Sequence, residues 1–275
     1  MPEAEGTEFD LDDIDAVIER LDEIIERAIA TNDRMGWFAA MYRRVTLAVR
    51  TGIVDGRFEN GQRMVRFDAI FAHRFINAWD DVQAGRRPTK AWQVAFAGAK
   101  KRRLIIVQQL LLGMNAHINL DLGIAAAGVA REFNEPIDAL KSDFDEINVV
   151  LSELTHGFVD QVGELSPWLG LLERVGGRTE DAIIKWSIEA ARDAAWLLAT
   201  ELAPDPPVDQ ARPVAIRDDI TEGLGKVITR PGILLPLALL VIRSREPNDV
   251  NQVTRFLLES PPGATERRSP ADQST

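Results

Sequence analysis

Apolar residues return every three to four positions along most of this chain, and nowhere alternate with polar ones over a strand-like stretch. From Asp10 to Ala30 the set Ile14, Val17, Ile18, Leu21, Ile24, Ile25 and Ala28 is separated by charged residues, which predicts an amphipathic helix. Asn32-Asp33 breaks the pattern, and a second helix is expected from about Trp37 to Arg50, closed by turn chemistry at Thr51-Gly52 and Asp55-Gly56. A third fits Asn60 to about Ala84, its apolar side marked by Met64, Phe67, Phe71, Phe75 and Trp79, and Gly85-Arg-Arg-Pro88 ends it.

The next segment, Thr89 to about Arg131, is long for one helix, and a kink or break is expected near Gly113 and Gly123. Pro136 stands where a first-turn proline would open a helix over about Ile137 to Val162. Ser166-Pro167 and Gly176-Gly177 bound a connection, after which Thr179 caps a helix over Ala182 to Glu201. Ala203-Pro-Asp-Pro-Pro-Val208 is the best internal boundary, followed by short helices near Ile216–Leu224, Leu234–Arg243 and Asn248–Leu258. No repeat of solenoid length stands out. The expected fold is all-α: a multi-helix, bundle-like domain over 10–203 with a C-terminal helical extension, 204–259, packed on it. Residues 1–9 and the Pro-, Ser- and Arg-rich tail 260–275 read as disordered.

Composition narrows the function classes. A chain of 275 residues, 45% hydrophobic and 27% charged, can bury a sizeable core. Its formal net charge of -11 argues against nucleic-acid binding driven by phosphate contacts. The absence of cysteine removes disulfides, thiolate zinc sites and cysteine nucleophiles together, and fits a reducing cytoplasm. The acidic start, Met1-Pro-Glu-Ala-Glu, does not read as a secretory signal. The apolar run from Gly232 to Ile242 falls short of the roughly 20 residues needed to span a bilayer and contains Pro236, so it reads as a buried helix rather than a membrane-docking segment. The expected location is therefore cytoplasmic, without stable membrane insertion.

The candidate chemistry centres on Leu110-Leu-Leu-Gly-Met-Asn-Ala-His-Ile-Asn-Leu-Asp-Leu122, where a leucine run leads into Asn115, His117, Asn119 and Asp121. On a continuous helix His117 and Asp121 share a face. The other two histidines repeat the spacing, His73 with Asn77 and His156 with Asp160. Glu153, His156 and Asp160 form a stripe at i, i+3 and i+7, close to the Glu-x-x-His pairs of helix-bundle di-iron sites. Imidazole and carboxylate suit zinc, iron or manganese. Against this stand two plainer readings: a helix histidine hydrogen-bonded to its i+4 acceptor, and a carboxylate that orients an imidazole for acid–base work without a metal. Asn115 and Asn119 lie on roughly the opposite side of an ideal helix from His117 and Asp121, so both pairs meet one pocket only if the helix is distorted. Arg43, Arg44, Arg66 and Arg74 read first as salt-bridge partners in an acidic protein and second as an anion site. Lys100-Lys-Arg-Arg103 reads as a solvated face. The tryptophans read as core, with Trp37, Trp79 and Trp92 as second-choice walls of an apolar pocket. No nucleophile elbow, phosphate loop or dinucleotide fingerprint is present.

Gly113-Met-Asn-Ala-His-Ile-Asn-Leu-Asp-Leu-Gly123, with Phe67-Asp-Ala-Ile-Phe-Ala-His-Arg-Phe75 upstream, resembles a bacterial family of unknown function, domain-of-unknown-function family 5995, over about residues 30–240. The resemblance implies an all-α domain and no particular reaction. A looser similarity, by analogy alone, is to the all-α zinc phospholipase C and P1 nuclease class, whose His-x-x-x-Asp/Glu pairs bind metals; this chain lacks most of that class's histidines.

The leading expectation is an enzyme with an interior site of His73, His117, Asp121, His156 and Asp160 as metal ligands. His117, Asp121 and Glu153 would be the catalytic groups, and Asn77, Asn115, Asn119 and Arg74 the substrate contacts. Zinc, iron or manganese would activate water against an ester or phosphoester. The alternatives are di-iron oxygen chemistry and a non-catalytic helical protein that binds an apolar ligand or a partner. The expected partner is a small molecule; a homo-oligomer is compatible with the sequence.

Overall fold

The long segment around the His–Asp motif is the helix that the others surround. A computed structural model of the protein describes residues 10–169, 188–204, 207–230 and 235–259, without the side chains of 152, 155–159, 207–208 and 235–236. All regular structure among the described residues is helical.

Helix α1 (Asp12–Thr31) buries Ile14, Val17, Leu21, Ile24, Ile25 and Ala28, the stripe its periodicity predicts. It stops at Asn32, which takes the left-handed conformation (φ 55°) that asparagine tolerates better than most residues. Helix α2 (Met35–Val54) runs through Thr51-Gly52 instead of ending there; Gly52 lies against the Phe58 ring, where an added Cβ would stand 3.1 Å from Cε2. Helix α3 (Gly61–Gln83) starts at Asn60, whose side chain accepts from Arg63 N.

The Thr89–Arg131 segment breaks early, at its charges. Helix α4 (Lys90–Ala99) ends before Lys100-Lys-Arg-Arg103, which forms a turn and not a helix face, while Leu104 and Ile105 dive into the core. Helix α5 (Ile106–Ala116), a π-helical turn (His117–Asp121) and helix α6 (Leu122–Glu132) then follow without interruption. By length and composition this stretch, Ile106–Glu132, could cross a membrane, but 83% of its most apolar window is buried inside the protein, as befits a central core helix.

Helical backbone runs through both flanking glycines, and the distortion between them is the π-helical turn. Each glycine gives close approach: a Cβ on Gly113 would lie 2.4 Å from Phe38 Cδ2 on α2, and one on Gly123 would lie 2.5 Å from the Ala195 carbonyl oxygen. Pro136 precedes a short 3₁₀ turn (Ile137–Leu140) that leads into α7 (Lys141–Leu165). Helix α8 (Ile188–Leu202) packs on α6 and the π turn, and α9 (Ala211–Thr229), longer than predicted, packs on α4 and α5. Helices α10 (Leu235–Arg243) and α11 (Val250–Leu258) complete the described chain, α11 lying against α2 and α1. The disorder expected for 1–9 and 260–275, the Gly176-Gly177 connection, the Thr179 cap and the first residues of the helix expected from Ala182 fall outside the described residues.

Two remote carboxylates tie these pieces together. Glu246 accepts from the amide of Ile106 and from Ser166 Oγ, capping α5 from the C-terminal region. Asp218 of α9 accepts from the amides of Lys90 and Ala91 and does the same for α4.

Candidate functional site

The π turn gathers the polar residues of the central motif, and the neighbouring helices sort them into two groups. A π turn inserts an extra residue into one helical turn, and such turns are frequent at functional sites. Asn119 Nδ2 donates to Asn115 Oδ1 at 3.1 Å, and Asn115 Nδ2 donates to the Thr221 carbonyl of α9 at 2.9 Å. The asparagine pair therefore locks α5 and the π turn to α9, on the far side from the histidine.

His117 and Asp121 point the other way, and both are almost fully buried. Asp121 is a hub: Arg74 Nε of α3 donates to Oδ1 at 2.9 Å, and Trp92 Nε1 of α4 donates to Oδ2 at 2.8 Å. His117 Nδ1 stands 3.4 Å from the same Oδ2. Burial alone would raise the Asp121 carboxyl, but the His117 contact and the positive charge of Arg74 outweigh it and hold the carboxyl below its ordinary value. Burial lowers the His117 pKa despite the hydrogen bond and charge of Asp121, and Arg74 adds to the lowering. The pair is thus a neutral imidazole beside an anionic carboxylate, with the Nδ1 proton directed at the carboxylate and Nε2 left as the basic nitrogen.

Aromatic rings enclose the imidazole. Phe71 stacks on it with centroids 3.6 Å apart and planes 7° from parallel, and Tyr42 meets it edge-on at 4.5 Å. Nε2 is buried without a hydrogen-bond partner. His117 lies in the wall of a cavity of about 350 Å³, within the range of small-molecule sites. Side chains of α2, α3, α5, α6, α7 and α8 line it, and most are aliphatic, aromatic or methionine. Three more unpartnered polar atoms belong to lining residues: the Tyr42 hydroxyl, Asp68 Oδ2 and Arg192 Nε. Burial pushes the Asp68 carboxyl up to about 7, and burial together with the Asp68 charge raises the Tyr42 phenol.

The other residues singled out in the sequence are placed elsewhere. His73 and Asn77 are exposed on α3, where His73 Nδ1 contacts the Ala69 carbonyl one turn back at 2.7 Å. Glu153 is exposed on α7 and pairs with Arg57. Asp160 is exposed on the same helix, and the His156 side chain lies outside the described residues, so that pair contributes no geometry. Among the described residues no three His, Asp or Glu side chains converge as a metal-ligand group. At Asp121 the guanidinium of Arg74 and the indole of Trp92 already occupy one oxygen each. Arg43 pairs with Asp22 and Arg66 with Glu132, while Arg44 donates to Gln161 and the Leu257 carbonyl. Trp37 and Trp79 are core residues outside the cavity lining.

Tyr42, Asp68, Phe71 and Arg192 joined the site without being singled out for it by their sequence. A signal existed for two of them. Asp68 interrupts the apolar row Met64, Phe71, Phe75 of α3, and Arg192 interrupts the row Ile188, Ala195, Ala199 of α8; a charge in such a row is buried by its neighbours. No comparable signal marks Tyr42 or Phe71, which read as ordinary core aromatics.

No curated protein and no solved structure matches the chain at a significant level. A family model does match, over residues 14–231, and its description is a family of unknown function, DUF5995. That span takes in the whole His–Asp hub and every described helix that lines the cavity, so the chain belongs to the DUF5995 family.

Proposed function

We propose that the protein binds a mainly apolar small molecule in the cavity and that His117, held by Asp121, acts there as a general base. The observation that carries this reading is the unpartnered Nε2 of a neutral, carboxylate-oriented imidazole in the wall of an apolar cavity. The plainest reaction is hydrolysis of a carboxylic ester. Nε2 would take a proton from water as the water oxygen attacks the ester carbon, and the imidazolium would return that proton to the departing alkoxide. The Tyr42 hydroxyl, kept protonated by its raised pKa, is a donor suited to a developing oxyanion. Met41 and Met114 in the walls would let the cavity adapt to its occupant. This chemistry needs no metal. The cysteine-free composition is in keeping with a cytoplasmic protein.

A second reading, a non-catalytic carrier of apolar molecules, is favoured by one observation: among the described residues no serine, threonine or cysteine lines the cavity, so the described lining offers no such nucleophile for covalent catalysis.

The deciding experiment is hydrolysis of p-nitrophenyl esters of increasing acyl length by the wild type, His117→Gln and Asp121→Asn, alongside binding of an unreactive alcohol of matched length. General-base catalysis predicts a loss of roughly 10²–10⁴ in kcat for His117→Gln with the alcohol still bound. Alcohol binding without hydrolysis in the wild type would leave the carrier, and absence of both would end the cavity reading.

A further inference from the structure

The cavity wall contains a charge that no described carboxylate pairs with directly. Arg192 of α8 is 3% exposed and lines the cavity together with Leu122, Ile147, Leu151 and Ile188. One guanidinium nitrogen, Nη2, donates to the Phe144 carbonyl oxygen, and the group lies over the Phe144 ring, 4.3 Å from its centroid. Its Nε is buried without a partner. Among the described residues no carboxylate forms an ion pair with it. Asp145 and Asp193 act on it only through space, and Asp68, the acid in the same cavity wall, is not paired with it either. Of the other described buried arginines, Arg63 is held by Asp143 and Glu135, and Arg243 by Glu246, Asn248 and the Arg102 carbonyl. Arg34 also has an unpartnered Nε, but it lies over the Trp37 ring and outside the cavity lining, so Arg192 is the one of these that a ligand in the cavity can meet.

A buried, unpaired guanidinium is costly to the fold, and its planar fork of donors matches a carboxylate. Burial pulls its pKa down to about 10, so it keeps its charge at neutral pH. The surrounding surface is aliphatic, so a ligand that satisfies the charge must also carry apolar bulk.

We infer that the cavity takes an amphipathic carboxylic acid, with its carboxylate on Arg192 and its apolar body along the walls formed by α6 and α7. This rests on the reading that the cavity holds a small molecule, and it names that molecule's class. The acid would enter with its charged end at α8 and lay its chain through the interior, so the group presented to His117 would be on the part of the molecule remote from the carboxylate.

The test is calorimetric titration of the full chain with decanoate, decanol and decylamine at pH 7.5, using the wild type, Arg192→Met and Arg192→Lys, with thermal unfolding as the check on folding. Decanoate should bind at least about tenfold more tightly than decanol, a charge-assisted contact replacing a neutral one, and decylamine should bind least well. Arg192→Met should erase the preference for decanoate while leaving decanol affinity within about twofold, and Arg192→Lys should restore part of it. Equal binding of decanoate and decanol to the wild type, or a preference that survives Arg192→Met, would overturn the inference and leave the cavity reading intact. Binding of none of the three would overturn both. If Arg192→Met does not fold, the wild-type ranking of acid, alcohol and amine decides the matter alone.

Discussion

Arg74 Nε donates to Asp121 Oδ1 across 2.9 Å, from α3 to the π turn, and so makes a tertiary hub of what would otherwise be a local His–Asp pair. The carboxylate is buried and the arginine keeps about a third of its side chain in solvent, with side-chain exposures of 1% and 31%. The pair is therefore anchored on the anion. Whatever removes the Asp121 charge leaves Arg74 free to turn outwards, while the indole of Trp92 and the His117 ring have no such escape.

Substituting Asp121 should cost stability before it affects anything else. Asp121→Asn keeps the shape but loses the charge that Arg74, Trp92 and His117 all address, and the expected loss is about 1–3 kcal/mol. Trp92→Phe, which removes only the indole donor to Oδ2, should fall at the lower end of that range. Urea denaturation of the two variants beside the wild type measures both; a neutral Asp121→Asn would show that the hub does not support the fold.

The pH dependence of stability should contain two opposed contributions. The folded-state pKa of Asp68 is raised, from 3.8 to about 7, so its contribution is fully present below about pH 4 and is lost as pH rises through 7. At 1.36 kcal/mol per unit this is on the order of 4 kcal/mol. The folded-state pKa of His117 is lowered from 6.5, so its contribution is present above 6.5 and is lost as pH falls through the folded value. Between pH 5 and 7 the two slopes oppose each other. Asp68→Asn should remove the first, leaving a protein whose stability rises with pH across that window and exceeds the wild type's at pH 8. Denaturation midpoints at pH 5 and 8 for both proteins decide it; identical pH profiles would rule out the buried, unpaired acid.

Two glycines to alanine should move stability in opposite directions. Gly223 of α9 has open space where a Cβ would go, so Gly223→Ala should gain about 0.5–1 kcal/mol from reduced backbone entropy. Gly123→Ala would place a Cβ 2.5 Å from the Ala195 carbonyl oxygen, a backbone atom, and should lose about 1–3 kcal/mol as α8 is pushed from the central helix. Thermal unfolding of the two single variants gives the sign directly.

The most destabilising single change to a charge should lie outside the candidate site. Asp143 of α7 accepts from the amides of Glu59 and Asn60 and from Arg63 Nη2, and both side chains of that ion pair are almost wholly buried. Asp143→Ala strands Arg63 with only Glu135 and should cost about 3–5 kcal/mol, measured by chemical denaturation. A loss below about 1 kcal/mol would mean that Glu135 alone can hold the guanidinium.

The helices and the local half of the site were already written in the order of the residues. Periodicity is a property of neighbours within four residues, so α1, α3 and α11 were legible to within a few positions, and the i, i+4 spacing of His117 and Asp121 survived into a real contact. The remainder depends on packing between helices, because the partners that matter lie far away in the chain. Arg74 and Trp92 reach Asp121 from two other helices, Glu246 caps α5 from across the sequence, and close approaches of α2 and α8 explain Gly113 and Gly123. The same spacing rule that found His117–Asp121 also pointed to His73–Asn77, and only burial separates them: one pair faces the packed interior, the other water. Asp68 and Arg192 show the same limit from the opposite side. Their positions in apolar rows could be read from the sequence, but whether a buried charge meets a partner or a cavity depends on the helices opposite, and only packing supplies those.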